Sequence, residues 1–243
     1  MDLRKHAILA VTLGIMWAGI TNAQPELDTV KAKVRVLHHD STTISLLGTI
    51  HGAHARNPYY TWPHLERIVR LISPDLLLVE IRPEHFKAEE FYSDGPIEMP
   101  FLVDLAHREK ISCRPIDWWL DQWLADMSKV DWNARDDRMV DLLLTSLRET
   151  KARKPLVTVG AGHIDPFISR LVRLGWVEEN PPKLNWETQV YPDISSSVLG
   201  LWEHGAKYLS TLPNASSERG KQKIETWKSI IIGQGYLFTR PKE

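Results

Sequence analysis

The chain has 243 residues, 43% of them hydrophobic and 25% charged, a balance typical of a globular protein that buries a substantial core. Its formal net charge of −1 argues against nucleic acid or an anionic membrane surface as a partner. Cys113 is the only cysteine, which excludes an intrachain disulfide and a cysteine metal cage, and we expect it to be a buried structural thiol. The ten tryptophans are interpreted as packing residues, with an aromatic-lined binding groove as the alternative.

Residues 1–23 have the three-part layout of a secretory signal peptide. A basic start at 4–6 is followed by an uncharged apolar run, 7–20, and then by small residues before Gln24. The apolar run is shorter than the roughly 20 residues that a membrane span needs. An uncleaved N-terminal anchor is the alternative. We therefore expect residues 24–243 to form a single domain that is periplasmic or secreted.

The rest of the chain alternates predicted strands and helices. Residues 42–50 are β-branched and apolar, as in a buried strand, whereas the apolar positions of 64–72 follow helical spacing. The predicted strands are 34–37, 42–50, 76–81, 111–116, 155–159 and 236–239. The predicted helices are 64–72, 100–110, 133–151, one that starts at 165 or 166 and is ended by Gly175, 195–209 and 217–232.

This alternation predicts an α/β fold, with a mainly parallel sheet covered by helices on both faces. We expect its core to span about 42–177 and a helical C-terminal extension to span about 178–243.

Four polar residues follow predicted strands: His51, Glu80, Asp117 and His163. Because open parallel sheets carry functional residues at the carboxyl ends of their strands, we expect these four side chains to meet at one edge. The histidines end two GxxH motifs, 48–51 and 160–163, which we interpret as loops at strand ends. Glycine there is expected to let the backbone turn sharply or take a positive φ.

Two imidazoles and a carboxylate are a usual ligand set for a divalent metal with open positions. Such a metal lowers the pKa of bound water to about 7 and supplies a hydroxide nucleophile. The same groups can also act without metal, with one histidine as general base on water, held in its tautomer by Glu80. The residues alone leave both mechanisms open.

Structural alternatives exist for each of these polar residues. Either histidine alone could simply bond a backbone carbonyl, and Glu80 could form a structural ion pair with Arg82 or Arg135. Asp117 could cap the segment that follows it. Arg135 either belongs to a solvated helix start or reaches the site and clamps a carboxylate or an oxyanion.

Other histidines are secondary candidates in the sequence. His54 follows His51 by three residues and could reach the same site. The pair His38 and His39 precedes a buried strand, and we interpret it as a surface feature.

Four segments together resemble the TraB/GumN/TIKI family: GTIH (48–51), LLLVEIRPE (76–84), ARDDRM (134–139) and VTVGAGHI (157–164). The resemblance covers about 42–177, with the motifs in the family's order. Two departures stand out: the stretch between Glu80 and Arg135 is short, and the tail after Trp176 is long.

The resemblance implies an extracytoplasmic or membrane-associated protein, peripheral association included, with a metal-linked hydrolase site. The animal TIKI branch is a divalent-metal-dependent peptidase, and TraB-type members are associated with shutting down peptide pheromone signals. Carried over by motif, His51, Glu80 and His163 would be the core site residues, and Arg135 would match the late-helix arginine. Asp117 is added from strand order alone.

The leading hypothesis is therefore an exported hydrolase, a peptidase, that uses Mn²⁺, Co²⁺ or Zn²⁺ on a peptide or small-molecule substrate. His51 and His163 would bind the metal or activate water, Glu80 would be ligand or general base, and Arg135 would stabilise developing negative charge.

Two alternatives belong to other functional classes. One is a haem- or iron-binding protein like the distant ChaN-type relatives, supported by Tyr59, Tyr60 and the many tryptophans. The other is a scaffold or maturation factor with a degenerate site.

Overall fold

The computed structural model describes residues 34–91, 95–120, 122–123, 126–180, 194–212 and 215–237. The predicted signal peptide lies outside these residues. Among the helices that are described, none is both long and apolar enough to cross a membrane.

A six-stranded mixed sheet organises the molecule. Its strands are β1 (Val34–His39), β2 (Thr42–Thr49), β3 (Leu76–Val79), β4 (Ser112–Pro115), β5 (Pro155–Gly160) and β6 (Val177–Glu179). They lie side by side in the order β4-β3-β5-β2-β1-β6. β4, β3, β5 and β2 run parallel to one another, whereas β1 pairs antiparallel with both β2 and β6. The predicted α/β fold with a mainly parallel sheet is confirmed.

Seven α-helices are described. They are α1 (Trp62–Ile72), α2 (Pro83–Lys87), α3 (Glu98–Arg108), α4 (Trp132–Thr150), α5 (Ile164–Arg173), α6 (Ser196–Thr211) and α7 (Glu218–Ile232). Local chemistry explains several of their ends. Asp131 caps α4 by accepting a hydrogen bond from the Ala134 N–H, and Ser217 caps α7 in the same way through Gly220. After α5 the chain turns at Gly175, whose φ of 89° is readily adopted only by glycine.

The sheet separates two hydrophobic cores. In β3, Leu77 and Val79 point to the first core, while Leu76 and Leu78 point to the second, as the alternation of a strand requires. Side chains of α1, α3, α6 and α7 fill the first core, and those of α4 and α5 fill the second. Helices therefore pack on both faces of the strands that precede the predicted polar residues.

The structure differs from the predicted elements at three places. Tyr236 and Leu237 are not in a strand, and the other two residues of the predicted strand 236–239 lie outside the described part. The sheet instead ends at β6, whose residues are all exposed and so lack the apolar pattern of a buried strand. The short helix α2 was also not predicted.

Cys113 lies in β4 and is partly rather than fully buried, and desolvation raises the pKa of its thiol to about 12. A thiol with so high a pKa is a poor nucleophile, which agrees with the predicted structural role.

Candidate active site

The carboxyl ends of four neighbouring strands meet at one edge of the sheet. Asp117 follows β4, Glu80 follows β3, His163 follows β5 and His51 follows β2. These four side chains and Arg135 of α4 all line one pocket of about 670 Å³. The structure thus brings together the five primary site residues that the sequence predicted.

Arg135 is the centre of the polar network. Its Nη2 donates to Glu80 Oε1 at 2.8 Å and to Asp117 Oδ1 at 2.5 Å, and its Nε donates to the same Asp117 oxygen at 3.1 Å. The guanidinium also lies 4.4 Å from the ring centre of Trp119. Arg135 is only 2% exposed, so these two carboxylates compensate its buried charge. Of the two earlier alternatives for Arg135, the structure supports the one in which it reaches the site.

His163 is held between Arg135 and Asp136. Arg135 Nη1 lies 2.7 Å from His163 Nε2, and Asp136 Oδ1 lies 2.5 Å from His163 Nδ1. Because a guanidinium has only donors, Nε2 must be the acceptor, and Nδ1 carries the hydrogen that bonds the Asp136 carboxylate. Both ring nitrogens of His163 are therefore engaged, Nδ1 by Asp136 and Nε2 by Arg135.

Glu80 uses both of its carboxylate oxygens. Oε1 accepts from Arg135, and Oε2 accepts from the Gly160 N–H at 2.6 Å. Burial acts to raise the pKa of Glu80, but the charge of Arg135 and, to a smaller extent, the two nearby histidines outweigh it and lower that pKa. Glu80 is therefore a buried carboxylate that is charged at neutral pH and links the end of β3 to β5.

His51 pairs with Glu98, a residue to which the sequence analysis assigned no role. Its Nδ1 lies 3.0 Å from Oε1 of Glu98, which is completely buried in the first turn of α3, with Thr49 beside it. Burial acts to lower the pKa of His51, but Glu98 outweighs it and raises that pKa to about 9. The same pairing lowers the pKa of Glu98 against the effect of its burial. At neutral pH the two residues form an imidazolium–carboxylate pair.

The glycines of the GxxH motifs serve a different purpose from the expected one. Gly160 has a φ of −52°, and Gly48 is not among the described glycines with positive φ, so neither uses a glycine-specific conformation. His51 itself has the left-handed backbone, with a φ of 53°. A Cβ atom on Gly160 would lie 2.7 Å from His51 Nε2, and one on Gly48 would lie 3.2 Å from Ala161 Cα. Both glycines allow a close approach, of the His51 ring at Gly160 and of the Ala161 backbone at Gly48.

The pocket wall comes largely from parts of the chain to which sequence analysis assigned no chemistry. α6 and α7 contribute one side of it, including Lys223 and Trp227 of α7, and Trp119 and Trp132 contribute another. α7 packs on the His51 loop, because a Cβ on Gly52 would lie 3.5 Å from Thr226 Cγ2. The C-terminal helices therefore belong to the site as well as to the core.

Sequence analysis missed Glu98, Asp136 and Lys223. Asp136 had a detectable signal, since it directly follows Arg135 at the start of a helix. Glu98 had a weaker one, an acid enclosed by the apolar neighbours Ile97 and Met99. Lys223 had none, because only the tertiary packing of α7 brings it to the pocket.

The donor atoms do not fit a divalent metal held jointly by His51, Glu80 and His163. The Nε2 of His163 accepts a hydrogen bond from Arg135, and both Glu80 oxygens are bonded to donors. A divalent cation at these atoms would also be repelled by the buried positive charge of Arg135. Within the described part of the chain, no group of three or more His, Cys, Asp or Glu side chains is arranged to hold a metal ion. Joint metal binding would therefore require Arg135 to move.

The secondary candidates are placed away from this chemistry. His54 is fully buried; its Nδ1–H donates to the Tyr60 carbonyl at 2.6 Å, and its Nε2 accepts from the Ile50 N–H at 3.1 Å. Burial lowers the pKa of His54 to about 4. The Tyr60 hydroxyl, considered for haem, is buried and donates to the Gly48 carbonyl at 2.6 Å. These groups support the loop that carries His51.

Comparison of the chain with protein-family models, with curated proteins and with solved structures gives no match.

Proposed function

We propose that this protein is a hydrolase that cleaves an acyl bond, with His51 as the general base that activates water. The observation that carries the proposal is the exposure of His51 to the pocket. Its side chain is 51% exposed, whereas that of His163 is 12% exposed and those of Glu80, Asp117 and Arg135 are buried. Glu98 anchors Nδ1, so that Nε2 is the nitrogen left to exchange a proton with a water molecule or a substrate.

The proposed reaction uses His51 twice. Nε2 of neutral His51 takes a proton from water while the water oxygen attacks the substrate carbonyl carbon, and the carbonyl electron pair moves onto oxygen. When the tetrahedral intermediate collapses, the bond to the leaving nitrogen or oxygen breaks, and His51 returns the proton to that atom. Glu98 stabilises the imidazolium that exists between the two steps.

Arg135 is the residue that we assign to the developing oxyanion. Its Nε and Nη2 face Glu80 and Asp117, and one N–H of Nη1 bonds His163. The second N–H of Nη1 is used by no contact among the described residues. Arg135 is buried beside the pocket, and this unused donor can stabilise the negative charge that develops on the substrate oxygen only in the transition state.

Glu80, Asp117, Asp136 and His163 are positioning residues in this proposal. Glu80 and Asp117 hold Arg135 at the ends of β3 and β4. His163, which follows β5, accepts from Arg135, and Asp136 of α4 fixes the His163 ring. In this proposal the two GxxH segments place the histidines. The C-terminal helices α6 and α7 enclose one side of the pocket.

The resemblance to the TraB/GumN/TIKI family supports two further parts of the proposal, that the substrate is a peptide and that the protein is exported. The family resemblance also implies Mn²⁺, Co²⁺ or Zn²⁺. The donor set described above does not fit such an ion, so no step of the proposed reaction uses one.

The test is to screen the purified protein against a mixed peptide library and a panel of activated esters between pH 7 and pH 9.5. Each reaction is run in EDTA and with added Mn²⁺, Co²⁺ or Zn²⁺. We expect cleavage in EDTA and a loss of about 100-fold or more in His51→Ala, the size of a general-base contribution. The matched control His39→Ala alters a histidine that lies outside the pocket and should be unaffected. Absence of cleavage of any substrate, or full activity of His51→Ala, would refute the proposal.

A further inference from the structure

Trp132 is the most exposed tryptophan in the described part of the chain. It is 48% exposed, and it is the first residue of α4, three positions before Arg135. It lines the pocket beside His163, with 6.4 Å between the two ring centres. An indole that stays open to the pocket forgoes the hydrophobic stabilisation of burial, which leaves that stabilisation for a ligand to supply.

The neighbouring indole of Trp119 is fixed in place. Its N–H donates to Asp117 Oδ2 at 3.0 Å, and its ring packs edge-to-face on buried Trp123, with 6.2 Å between ring centres. Trp132 packs on Trp119 in the same manner, with 5.8 Å between ring centres. Trp119 and Trp132 thus form an ordered indole wall, which can bind a ligand ring with little loss of conformational entropy.

The indole wall lies next to the group that we assign to the oxyanion. Arg135 Cζ is 4.4 Å from the centre of the Trp119 ring and 5.8 Å from that of the Trp132 ring. Packed aromatic rings lie about 4.5–7 Å apart. In an aromatic amino acid only Cβ and Cα separate the ring from the carbonyl carbon. A ligand ring on Trp132 therefore belongs to the residue whose carbonyl reaches Arg135.

The charges of the pocket disfavour a cationic ligand side chain at this wall. Arg135 already presents its positive charge to both rings, and it would repel a second cation. Each carboxylate among the described lining residues has a partner, since Glu80 and Asp117 bond Arg135 and Asp126 lies 3.3 Å from Lys129. An anionic side chain would lose its hydration against the apolar indole surface. The wall therefore favours an uncharged ring.

We propose that Trp132 determines substrate specificity by packing against an uncharged aromatic side chain of the residue whose carbonyl is attacked. The pocket volume of about 670 Å³ accommodates such a side chain together with its flanking backbone. Assigning the ring to that particular residue rests on the proposed hydrolase function, because that function places the carbonyl at Arg135. Binding of the aromatic side chain itself can be tested without cleavage.

The binding test is isothermal titration calorimetry of the full protein with N-acetyl-phenylalaninamide, N-acetyl-alaninamide and N-acetyl-lysinamide. We expect the phenylalanine probe to bind about tenfold more tightly than the other two, the effect of one aromatic contact. Its binding should also show the more negative heat-capacity change that marks burial of apolar surface. Equal affinities for the phenylalanine and alanine probes, or tighter binding of the lysine probe, would overturn the inference.

Substitutions of Trp132 assign the preference to its ring. Trp132→Ala should reduce the affinity ratio of the phenylalanine and alanine probes from about ten to about one, and Trp132→Phe should retain most of it. Because Trp132 is exposed, both variants should fold, which thermal unfolding checks. The control Leu174→Ala removes an exposed apolar side chain outside the pocket and should keep the full ratio. A ratio that persists in Trp132→Ala would contradict the assignment.

Hydrolysis of the ethyl esters of N-acetyl-phenylalanine and N-acetyl-alanine separates this inference from the hydrolase proposal. We expect kcat/KM to favour the phenylalanine ester about tenfold and this ratio to be lost in Trp132→Ala. A binding preference without hydrolysis of either ester would refute the hydrolase proposal and leave the role of Trp132 in binding intact. Hydrolysis of both esters with equal kcat/KM, together with equal affinities for the two amide probes, would do the reverse.

Discussion

Arg135 Nη1 donates a hydrogen bond to His163 Nε2 across 2.7 Å, and this contact determines which nitrogen of His163 carries its hydrogen. It also ties the first turn of α4 to the end of β5, because Asp136 bonds the other ring nitrogen. The two histidines of the GxxH motifs consequently have different chemistry. His163 is enclosed and held through both ring nitrogens, whereas the His51 side chain is half exposed at the pocket.

The pH dependence of hydrolysis should follow the ionisation of His51. Because Glu98 raises the pKa of His51 to about 9, the neutral base is a minor species at pH 7. We expect kcat/KM to increase about tenfold per pH unit below pH 8 and to level off above about pH 9. Initial rates between pH 6 and pH 10 measure this profile. A rate that is already constant at pH 7 would show that another group is the base.

Replacing Glu98 should shift that profile to lower pH. Glu98→Gln keeps a hydrogen-bonding side chain but removes the charge that raises the pKa of His51, while the burial that lowers the pKa remains. We expect the pKa of His51 to fall by more than one unit, measured by NMR titration of the imidazole protons. Glu90→Gln, which alters the carboxylate partner of His85 outside the pocket, is the control and should leave His51 unchanged. An unchanged pKa in Glu98→Gln would contradict the pairing.

His54 should make the fold sensitive to acid. Its pKa is about 4 in the folded protein and 6.5 in the unfolded chain, so the unfolded state binds the proton more tightly. The stability that depends on neutral His54 is therefore complete above pH 6.5 and is lost as the pH falls toward 4. The shift corresponds to about 3 kcal/mol.

The variant His54→Gln isolates this effect. Glutamine can accept from Ile50 and donate to Tyr60 without titrating. Urea unfolding at pH 7 and pH 4 should show a smaller loss of stability in His54→Gln than in wild type or in the control His39→Gln. Identical losses in all three proteins would mean that His54 does not control acid unfolding.

Removing the guanidinium of Arg135 should destabilise the fold. Arg135→Met leaves Glu80 and Asp117 as buried carboxylates without their counterion, which costs about 3–5 kcal/mol. Urea unfolding at pH 7 measures this cost, and the exposed Arg138→Met of the same helix serves as the control. The triple variant Arg135→Met, Glu80→Gln, Asp117→Asn should recover part of the loss. Wild-type stability of Arg135→Met alone would contradict the network.

Metal removal should leave the activity in place. The lone pair of His163 Nε2 and both oxygens of Glu80 are already engaged, so we expect no stoichiometric metal in protein purified without chelator, measured by mass spectrometry. Dialysis against EDTA should not change kcat/KM. One metal ion per chain that is absent from both His51→Ala and His163→Ala would instead support the metal site that the sequence predicted.

The sequence predicted the edge of the sheet better than it predicted the contacts there. Periodicity placed β2, β3 and β5, and strand ends then grouped His51, Glu80 and His163, because parallel strands align their carboxyl ends. Glu80 was expected to be a metal ligand or general base, or, without metal, to hold a histidine in its tautomer. The structure instead pairs it with Arg135, one of the two structural alternatives.

The contacts that sequence analysis missed are made between elements distant in the chain. His51 and Glu98 are separated by 47 positions. No sequence pattern near either residue predicts that the first turn of α3 packs against the end of β2. β6 was missed for another reason, since an exposed three-residue edge strand has no apolar pattern. The strand predicted at 236–239 was wrong at Tyr236 and Leu237, whose apolar character reflects packing beneath α7.

The space at Gly160 makes the two GxxH motifs dependent on each other. The His51 ring of the first motif occupies the position where any side chain on Gly160 of the second would begin, and the second motif in turn passes over Gly48 of the first. A methyl group at Gly160 would displace the His51 ring, and one at Gly48 would press on the backbone at Ala161, more than 100 residues distant in the sequence. The pair thus forms one structural unit, and grafting one GxxH loop onto another scaffold would transfer a histidine without the neighbouring glycine that leaves room for its ring.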